Sequence, residues 1–555
     1  MNRRHFVYLS GTALAGLMFV RKTRAAGNSF DMVHLPEKVF VRLEDGLHEL
    51  IPSGQEAWLY RDVSVFLRHS DDTLSVKVGS PKNSLCQVVL QWSYPVNSRA
   101  IVLGDQWERT YGDVSFQPPS LERKMPWYFI QHDGEATACF GVKTGCHTIC
   151  YWEVGAGIVR LTMDTQSGGV GVELGDRVLD CAEIVAAKSS GDENTFATAR
   201  RFCSMMCQMP RLPRAPVYGI NDWYFAYGNN SSDLILQHTS MLADLAADNG
   251  NRPFSVIDAG WASYSPLLPG DCCWQDDFSR PNDKFKDMQK LANDIRMLGM
   301  RPGLWTRPLC APHNAPQNLL LPSIHGRNNP KNPVLDPTMD ENIAHVQRNI
   351  SIYGRWGYEM VKHDFTTFDI TGKWGLEMNN ELTEAGWSFH DNTKTTAEVM
   401  LHLYQSIREA AGEMYLIGCN TVSHLSAGVF ELNRIGDDTS GKEWDRTRTM
   451  GVNTLGFRMI QHNQFYAADG DCVGLTRDVP WAKNQQWMRL LAESSAPLFI
   501  SAQPDAVGEE QKRFIKYCFS AAAKPMPAGE PLDWLTNQWP EKWRLNGNVR
   551  TFDWS

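Results

Sequence analysis

Tyr358-Glu359-Met360-Val361-Lys362-His363-Asp364-Phe365 reads as a short buried strand that ends in a charged pair. Met360 and Val361 are apolar, and Lys362 and Asp364 follow two residues apart. On a strand, residues i and i+2 lie on one side, so these two project together from its C-terminal end. A cation beside a carboxylate keeps that carboxylate ionised at neutral pH. A fixed, ionised aspartate is what covalent glycoside chemistry requires of its nucleophile. Taken alone, a Lys-x-Asp pair at a strand end is more often a solvated ion pair that contributes little. Its neighbours in the chain decide between the two readings.

From Val217 onward, short apolar strands alternate with longer helical segments. Val217-Tyr218-Gly219-Ile220 precedes a helix over Asp233 to Ala247. Phe254-Ser255-Val256-Ile257-Asp258 precedes a long loop and a helix over Phe285 to Leu298. Met300-Arg301-Pro302-Gly303-Leu304-Trp305 precedes Pro337 to Tyr353, and the Lys362/Asp364 strand precedes Thr395 to Ala411. Met414-Tyr415-Leu416-Ile417-Gly418, Glu431-Leu432-Asn433-Arg434-Ile435, Thr454-Leu455-Gly456-Phe457 and Ala496-Pro497-Leu498-Phe499-Ile500 complete a set of eight. Repeated β-α units of this number predict a (β/α)8 TIM barrel over 215–505. A doubly wound open sheet is the competing architecture, but no G-x-G-x-x-G follows the first strand.

Such barrels place their active site at the C-terminal ends of the strands. There the sequence puts Asn221, Asp222 and Trp223, then Asp258 and Trp261, then Trp305 and Arg307, then Lys362 and Asp364. Cys419 and Asn420, then Arg434, Asp437 and Asp438, and finally His462 continue the rim. Each Asp alone is explicable as a helix cap. Carboxylates, tryptophans and cations at one rim, strand after strand, point to a polar ligand site.

Before the barrel, 27–210 has short alternating stretches: Val39 to Leu43, Leu74 to Val78 and Gly157 to Met163. Turns rich in Gly, Asn, Asp and Ser separate them, which predicts an antiparallel β-sandwich. Gln106, Trp107 and Glu108 are candidates for a sugar-contacting loop, which no motif fixes. A helix over Ala197 to Met206, then Pro210, Pro213 and Pro216, forms the link. Residues 1–26 read as an export signal: Arg3-Arg4 and Phe6 open it in the twin-arginine manner, Val7 to Val20 is apolar, and Thr23-Arg24-Ala25 offers a cleavage site. The expected destination is periplasmic or extracellular. Residues 506–555 form a C-terminal extension.

A net charge of −9 gives no basic footprint, so nucleic acid is not an expected partner. An aromatic fraction of 11% with 19 tryptophans suits sugar handling, though it equally suits a large core. The 13 cysteines are scattered, without paired zinc spacing; Cys272-Cys273 are adjacent and Cys203 and Cys207 four apart. No metal site and no cofactor are read, and the oligomeric state is not legible.

The ordered set Ile257-Asp258-Ala259-Gly260-Trp261, Pro302-Gly303-Leu304-Trp305, Val361-Lys362-His363-Asp364-Phe365, Arg434-Ile435-Gly436-Asp437-Asp438-Thr439 and Pro497-Leu498-Phe499-Ile500-Ser501 resembles the α-galactosidase clan of retaining glycoside hydrolases. These are families 27 and 36 and their relatives, and the layout is that of family 36. The resemblance implies Asp364 as nucleophile and the aspartate after Gly436, Asp437, as acid/base. It implies Lys362, Asp258 and Arg434 on sugar hydroxyls and Trp305 lining the pocket, with Trp261, Cys419, Asn420 and Asp438 as further substrate contacts. Local chemistry also favours Asp437, because Gly436 lets the backbone turn there, while Asp438 before Thr439 and Ser440 is placed to accept backbone N–H groups. Two departures stand out. Ala259 replaces the second of two consecutive acids that in the family grip the 4- and 6-hydroxyls of galactose. Cys419-Asn420-Thr421-Val422 lacks the glycine-rich run of the loop that reads the 2-position. The family's C-terminal β-domain is expected to be shortened or absent here.

The expected function is therefore an exported retaining exo-α-glycosidase, α-galactosidase-like, acting on an oligosaccharide or glycoconjugate. A raffinose-synthase-type transglycosylase, an α-N-acetylgalactosaminidase and a β-L-arabinopyranosidase share the residues. A non-catalytic carbohydrate-binding protein on the same barrel is the reading from another class; the presence of both aspartates speaks against it.

Overall fold

The computed structural model describes residues 33–70, 73–94, 97, 99–264, 277–322, 333–379 and 381–555. Residues 1–26, read as an export signal, and Cys272-Cys273 lie outside the described residues. The described cysteines are free thiols, and all but Cys86 are buried.

Two antiparallel sheets make up the N-terminal part, of six and eight strands. Lys38–Leu43 shows why they stack: Val39, Val41 and Leu43 are buried while Lys38 and Arg42 turn outward. Burying one such valine contributes about 1.5–3 kcal/mol, and Val41→Asp would break the layer. Between the sheets, Trp152 stacks on Trp92 at 6.2 Å and meets the edge of Phe129 at 5.6 Å. Helix Thr195–Met206 starts at Asn194, whose side chain accepts from Ala197 N at 2.9 Å. Its Phe202 and Met206 lie against strand Thr137–Val142.

The second part is a barrel of parallel strands. In ring order they are Tyr218–Asn221, Phe254–Ile257, Arg301–Thr306, Met360–His363, Tyr415–Gly418, Leu432–Arg434, a seventh strand in two halves, and Leu498–Ala502. The halves are Ala467–Asp469, paired with the sixth strand, and Cys472–Leu475, paired with the eighth. The eighth pairs back onto the first, through Gly219 beside Phe499, which closes the ring. Gly470 and Asp471 separate the halves, Asp471 in the left-handed region at φ 71°.

The seventh strand corrects the sequence reading. Thr454-Leu455-Gly456-Phe457 belongs to helix Thr454–Arg458, which continues Trp444–Thr447 through a π-helical turn at Arg448–Asn453. All of Thr454 to Arg458 is buried, so no one-sided stripe marks it as a helix. Arg458 fixes it by an ion pair with Asp105 at 2.7 Å. Helices Ser232–Ala243, Met288–Met297, Asp340–Trp356, Thr396–Ala411, Trp481–Glu493 and Glu509–Ala522 pack outside the ring. After the last of these, Glu530–Pro531, Lys542–Leu545 and Asn548–Thr551 form a small antiparallel sheet.

Candidate active site

The fourth strand sorts its own side chains. His363 points away from the ring interior, fully buried against the ring edges of Tyr404 and Phe430 at 5.7 and 5.4 Å. Burial pushes its pKa down to about 3, so it is a neutral packing residue. Lys362 and Asp364, on the other side, end the strand as the two-residue period requires.

Asp364 is held on both oxygens. Its Oδ2 accepts from Trp305 Nε1 at 3.0 Å and its Oδ1 from the Phe365 N–H at 2.8 Å. Phe365 sits at φ 67°, an unfavourable place for a bulky residue, and this turn brings its N–H back onto the carboxylate. The Phe365 ring lies under the Arg307 guanidinium at 4.4 Å, and Arg307 is gripped by buried Asp369 at 2.6 and 3.1 Å.

Lys362 is paired differently from the sequence reading. Its Nζ donates across the ring to Asp258 Oδ2 at 2.7 Å, and Asp364 acts on it only as a weaker attraction. Burial, the largest single influence, would lower the Lys362 pKa, but the neighbouring acidic groups, Asp258 foremost, together outweigh it and hold the ammonium well above its ordinary range. Asp258 Oδ2 also accepts from Asn221 Nδ2 at 2.8 Å, and its Oδ1 from the Ala259 N–H at 2.8 Å. Behind it, Asp222 accepts from the Asp258 N–H and from Asn230 Nδ2, each at 2.7 Å. Burial, then Asp258, push the Asp222 carboxyl up to about 7.

Trp305 is buried and offers its indole N–H to Asp364. Trp261 is not placed as a sugar platform. Its ring is fully buried among Phe278, Tyr353 and Trp356, and its Nε1 donates to Trp305 O at 2.8 Å. It fixes Trp305. Asn420 is likewise spent inside the protein: its Nδ2 donates to Glu108 and its Oδ1 accepts from the Phe368 N–H at 3.0 Å. Cys419 is buried, and its Sγ accepts from Arg434 Nη1 at 3.6 Å and Arg109 Nη1 at 3.8 Å. Burial, with Asp364 beside it, pushes its thiol well up, so it is neutral. His462 lies below the rim, where it bonds Ser495 Oγ at 2.7 Å and accepts from the Ala468 N–H at 3.1 Å.

The two aspartates after Gly436 divide in the opposite way to the sequence reading. Asp437 has both oxygens occupied, Oδ1 by Arg109 Nη2 at 2.7 Å and Oδ2 by Arg446 Nη2 at 2.8 Å. Asp438 caps nothing. The Thr439 N–H goes to Asp471 at 2.8 Å and the Ser440 N–H to Thr447 at 3.2 Å. Its contacts fall on Oδ1, from Arg434 Nη2 at 3.1 Å and Arg109 Nη1 at 3.7 Å, and 37% of its side chain is open to solvent. Burial works against its charge, but Arg434, Arg109 and Lys362 outweigh it and bring its pKa to about 2. Arg434 is itself anchored at 3.0 Å on Asp471, which also receives the Tyr224 hydroxyl. Gly436 is required because a Cβ there would sit 2.2 Å from Met450 O.

Part of this wall comes from the N-terminal sandwich. Thr110 N donates to Ile435 O at 2.9 Å and Asp437 N to Thr110 O at 2.8 Å, so the loop after the sixth strand is zipped to the chain beside Arg109. Arg109 also lies over half-buried Trp374 at 5.5 Å. Trp107, read as a sugar contact, is buried and donates to Met378 O at 3.1 Å. Glu108, from the same reading, is buried as the support of Asn420 and the Gly375 N–H. Arg109 and Arg446 carried no signal in the sequence, because their partners lie far along the chain or on an irregular loop.

No protein-family model matches the sequence, and no curated protein matches it. Solved structures match its architecture. The α-galactosidase of Thermus thermophilus, solved with p-nitrophenyl α-D-galactopyranoside, aligns at a TM-score of 0.60 with 16% identity, over 93% of this chain and 98% of its own. The chain has the fold of the family 36 α-galactosidases. One of that family from Geobacillus stearothermophilus, in complex with 1-deoxygalactonojirimycin, aligns at 0.58 with 12% identity, over 87% of this chain and 75% of its own. The galactosidase domain of an α-galactosidase-sucrose kinase aligns at 0.56 with 15% identity, over 87% of this chain and 73% of its own. The family 36 fold thus spans sandwich and barrel together.

Proposed function

We propose that the chain is an exported retaining exo-α-glycosidase that acts on α-galactosides by double displacement. The observation that carries this is Asp364, fixed by Trp305 Nε1 and the Phe365 N–H at a barrel rim that also holds Asp438 with an oxygen to spare. In this reading Asp364 attacks the anomeric carbon and the bond to the leaving oxygen breaks as a proton reaches that oxygen. Asp438, rather than Asp437, delivers the proton and then takes one from the water that releases the sugar. An acid/base must present an oxygen to the substrate; Asp437 has neither oxygen unoccupied, whereas contacts to Asp438 fall on Oδ1. The arginines favour the ionised Asp438, the form needed as base in the second half-reaction. Lys362, Asp258 and Arg434 hold sugar hydroxyls, while Asp437 fixes Arg109 and Arg446. Export rests on residues 1–26. The Thermus enzyme supports the substrate class, since it was solved with a galactoside and with stachyose.

The test is turnover of nitrophenyl α-galactoside, α-N-acetylgalactosaminide, α-glucoside and β-L-arabinopyranoside, with the anomer of the first product read by proton NMR. The proposal expects the α-galactoside to turn over fastest and to release α-galactose first. No release from any of the four, or a β-anomer from the α-galactoside, would overturn it.

A further inference from the structure

One broad groove lies away from the barrel mouth, on the outward face of the six-stranded sheet. Its volume is about 530 Å³, within the range of small-molecule sites and enough for roughly two or three sugar rings. A solvent-facing sheet surface usually carries exposed polar residues. Here several are sunk: Glu153 is 5% exposed and Gln87 9%. The groove is walled on one side by Glu381, Thr383 and Ala385, from the loop after the fourth barrel strand. That loop is locked onto the sandwich, by Gly169 N to Trp387 O at 2.9 Å and Gly386 N to Gly169 O at 3.1 Å.

The lining is a row of planar hydrogen-bonding groups, already oriented by one another. Arg160 donates to Gln91 Oε1 at 3.1 Å and reaches Glu153 at 3.7 Å; Arg42 donates to Gln87 Oε1 at 3.1 Å. Arg160 uses both terminal nitrogens and Gln87 both ends of its amide, the far end on Asp164, so these hold the row flat, while Gln91 Nε2 and the two Nη atoms of Arg42 are left for a ligand. Lys124 and Arg160 share Glu153, and with Arg42 and Glu381 the lining carries three cations against two carboxylates, so opposite charges cancel to one net positive charge. Phe40 supplies ring surface along it, and Tyr151 lies beneath Lys124 at its floor. Fixed planar donors and acceptors, nearly balanced charge and an aromatic ring match a neutral polyol with vicinal hydroxyls and apolar C–H faces. Tyr151 also touches Trp107 at 5.6 Å, next in the chain to Glu108 and Arg109, so the groove backs onto the same segment that walls the active site.

We propose that this groove is a second carbohydrate site that takes a neutral oligosaccharide. It does not depend on the catalytic reading. The experiment is isothermal titration of stachyose into the full chain carrying Asp364→Ala, and into that chain with Gln91→Ala and Arg160→Ala added. The stoichiometry should be one site lower, or groove affinity at least tenfold weaker, in the triple variant. In the wild-type background, Arg160→Ala should leave nitrophenyl α-galactoside turnover unchanged. If the barrel does not bind sugar, the parent shows one site and the triple variant none, which supports the groove and counts against the catalytic reading. Phe40→Ser with an unchanged melting profile serves as a second variant should the first fail to fold. Equal stoichiometry and affinity in parent and variants, or binding of trigalacturonate but not stachyose, would overturn the proposal.

Discussion

Asp438→Ala and Asp437→Ala should separate chemistry from scaffolding. The contacts of Asp438 fall on Oδ1 and 37% of its side chain is exposed, so under the proposed assignment its loss removes the proton donor for the departing group. General acid–base catalysis contributes roughly 10²–10⁴-fold. We expect kcat/KM of Asp438→Ala to fall by about that factor on raffinose, whose leaving sugar needs protonation, and far less on dinitrophenyl α-galactoside, which does not. Asp437→Ala instead strands Arg109, 6% exposed, while Arg446, 40% exposed in its side chain, can rehydrate. That variant should lose about 1–3 kcal/mol of stability and show similar losses on both substrates. The wild-type pH profile adds a sign. With Asp438 held at about 2, its protonated form becomes rarer as pH rises, so kcat/KM on raffinose should fall across the acidic range. The assay is initial rates on the two substrates with urea unfolding of each variant. Leaving-group dependence in Asp437→Ala and its absence in Asp438→Ala would refute the assignment.

Arg109→Ala should shift the fall of kcat/KM on raffinose to higher pH, because one of the cations holding Asp438 ionised is gone; Arg109→Lys should restore part of the original profile, and an unmoved profile would reduce Arg109 to a packing role. Burial pushes the Asp164 carboxyl up to about 7 against the Gln166 N–H and Gln87. A raised carboxyl costs nothing below the unfolded value, and its cost grows to full size as pH rises through 7. Asp164→Asn should therefore gain stability relative to wild type between pH 4 and pH 7, by up to about 1.4 kcal/mol per pH unit, seen as urea midpoints that diverge with rising pH.

Much of the barrel was legible because seven of its strands are short apolar runs followed by polar rim residues, as in Met360 to Asp364. The seventh strand was not. Ala467-Ala468-Asp469-Gly470-Asp471 carries the residues of a turn, and it is one, set inside a strand. Thr454-Leu455-Gly456-Phe457 has β-prone composition, and burial on all sides overrides it. At the site, residue type and order located Asp364, Asp258, Lys362 and Arg434, but not their pairing. Lys362 looked to its strand neighbour Asp364, yet the ring brings Asp258 nearer. Adjacent Asp437 and Asp438 could be divided only by knowing where Arg109 and Arg446 lie. Arg109 is 328 positions from Asp437 in the chain, and no local pattern records such a contact.

The central claim is that Asp364 is the nucleophile of a retaining enzyme. The direct measurement is Asp364→Ala assayed on dinitrophenyl α-galactoside with and without sodium azide. Nearly all turnover should be lost, and azide should restore part of it, yielding β-galactosyl azide, the inverted product of attack from the face the carboxylate vacated. Turnover in Asp364→Ala equal to that of the wild type would contradict it.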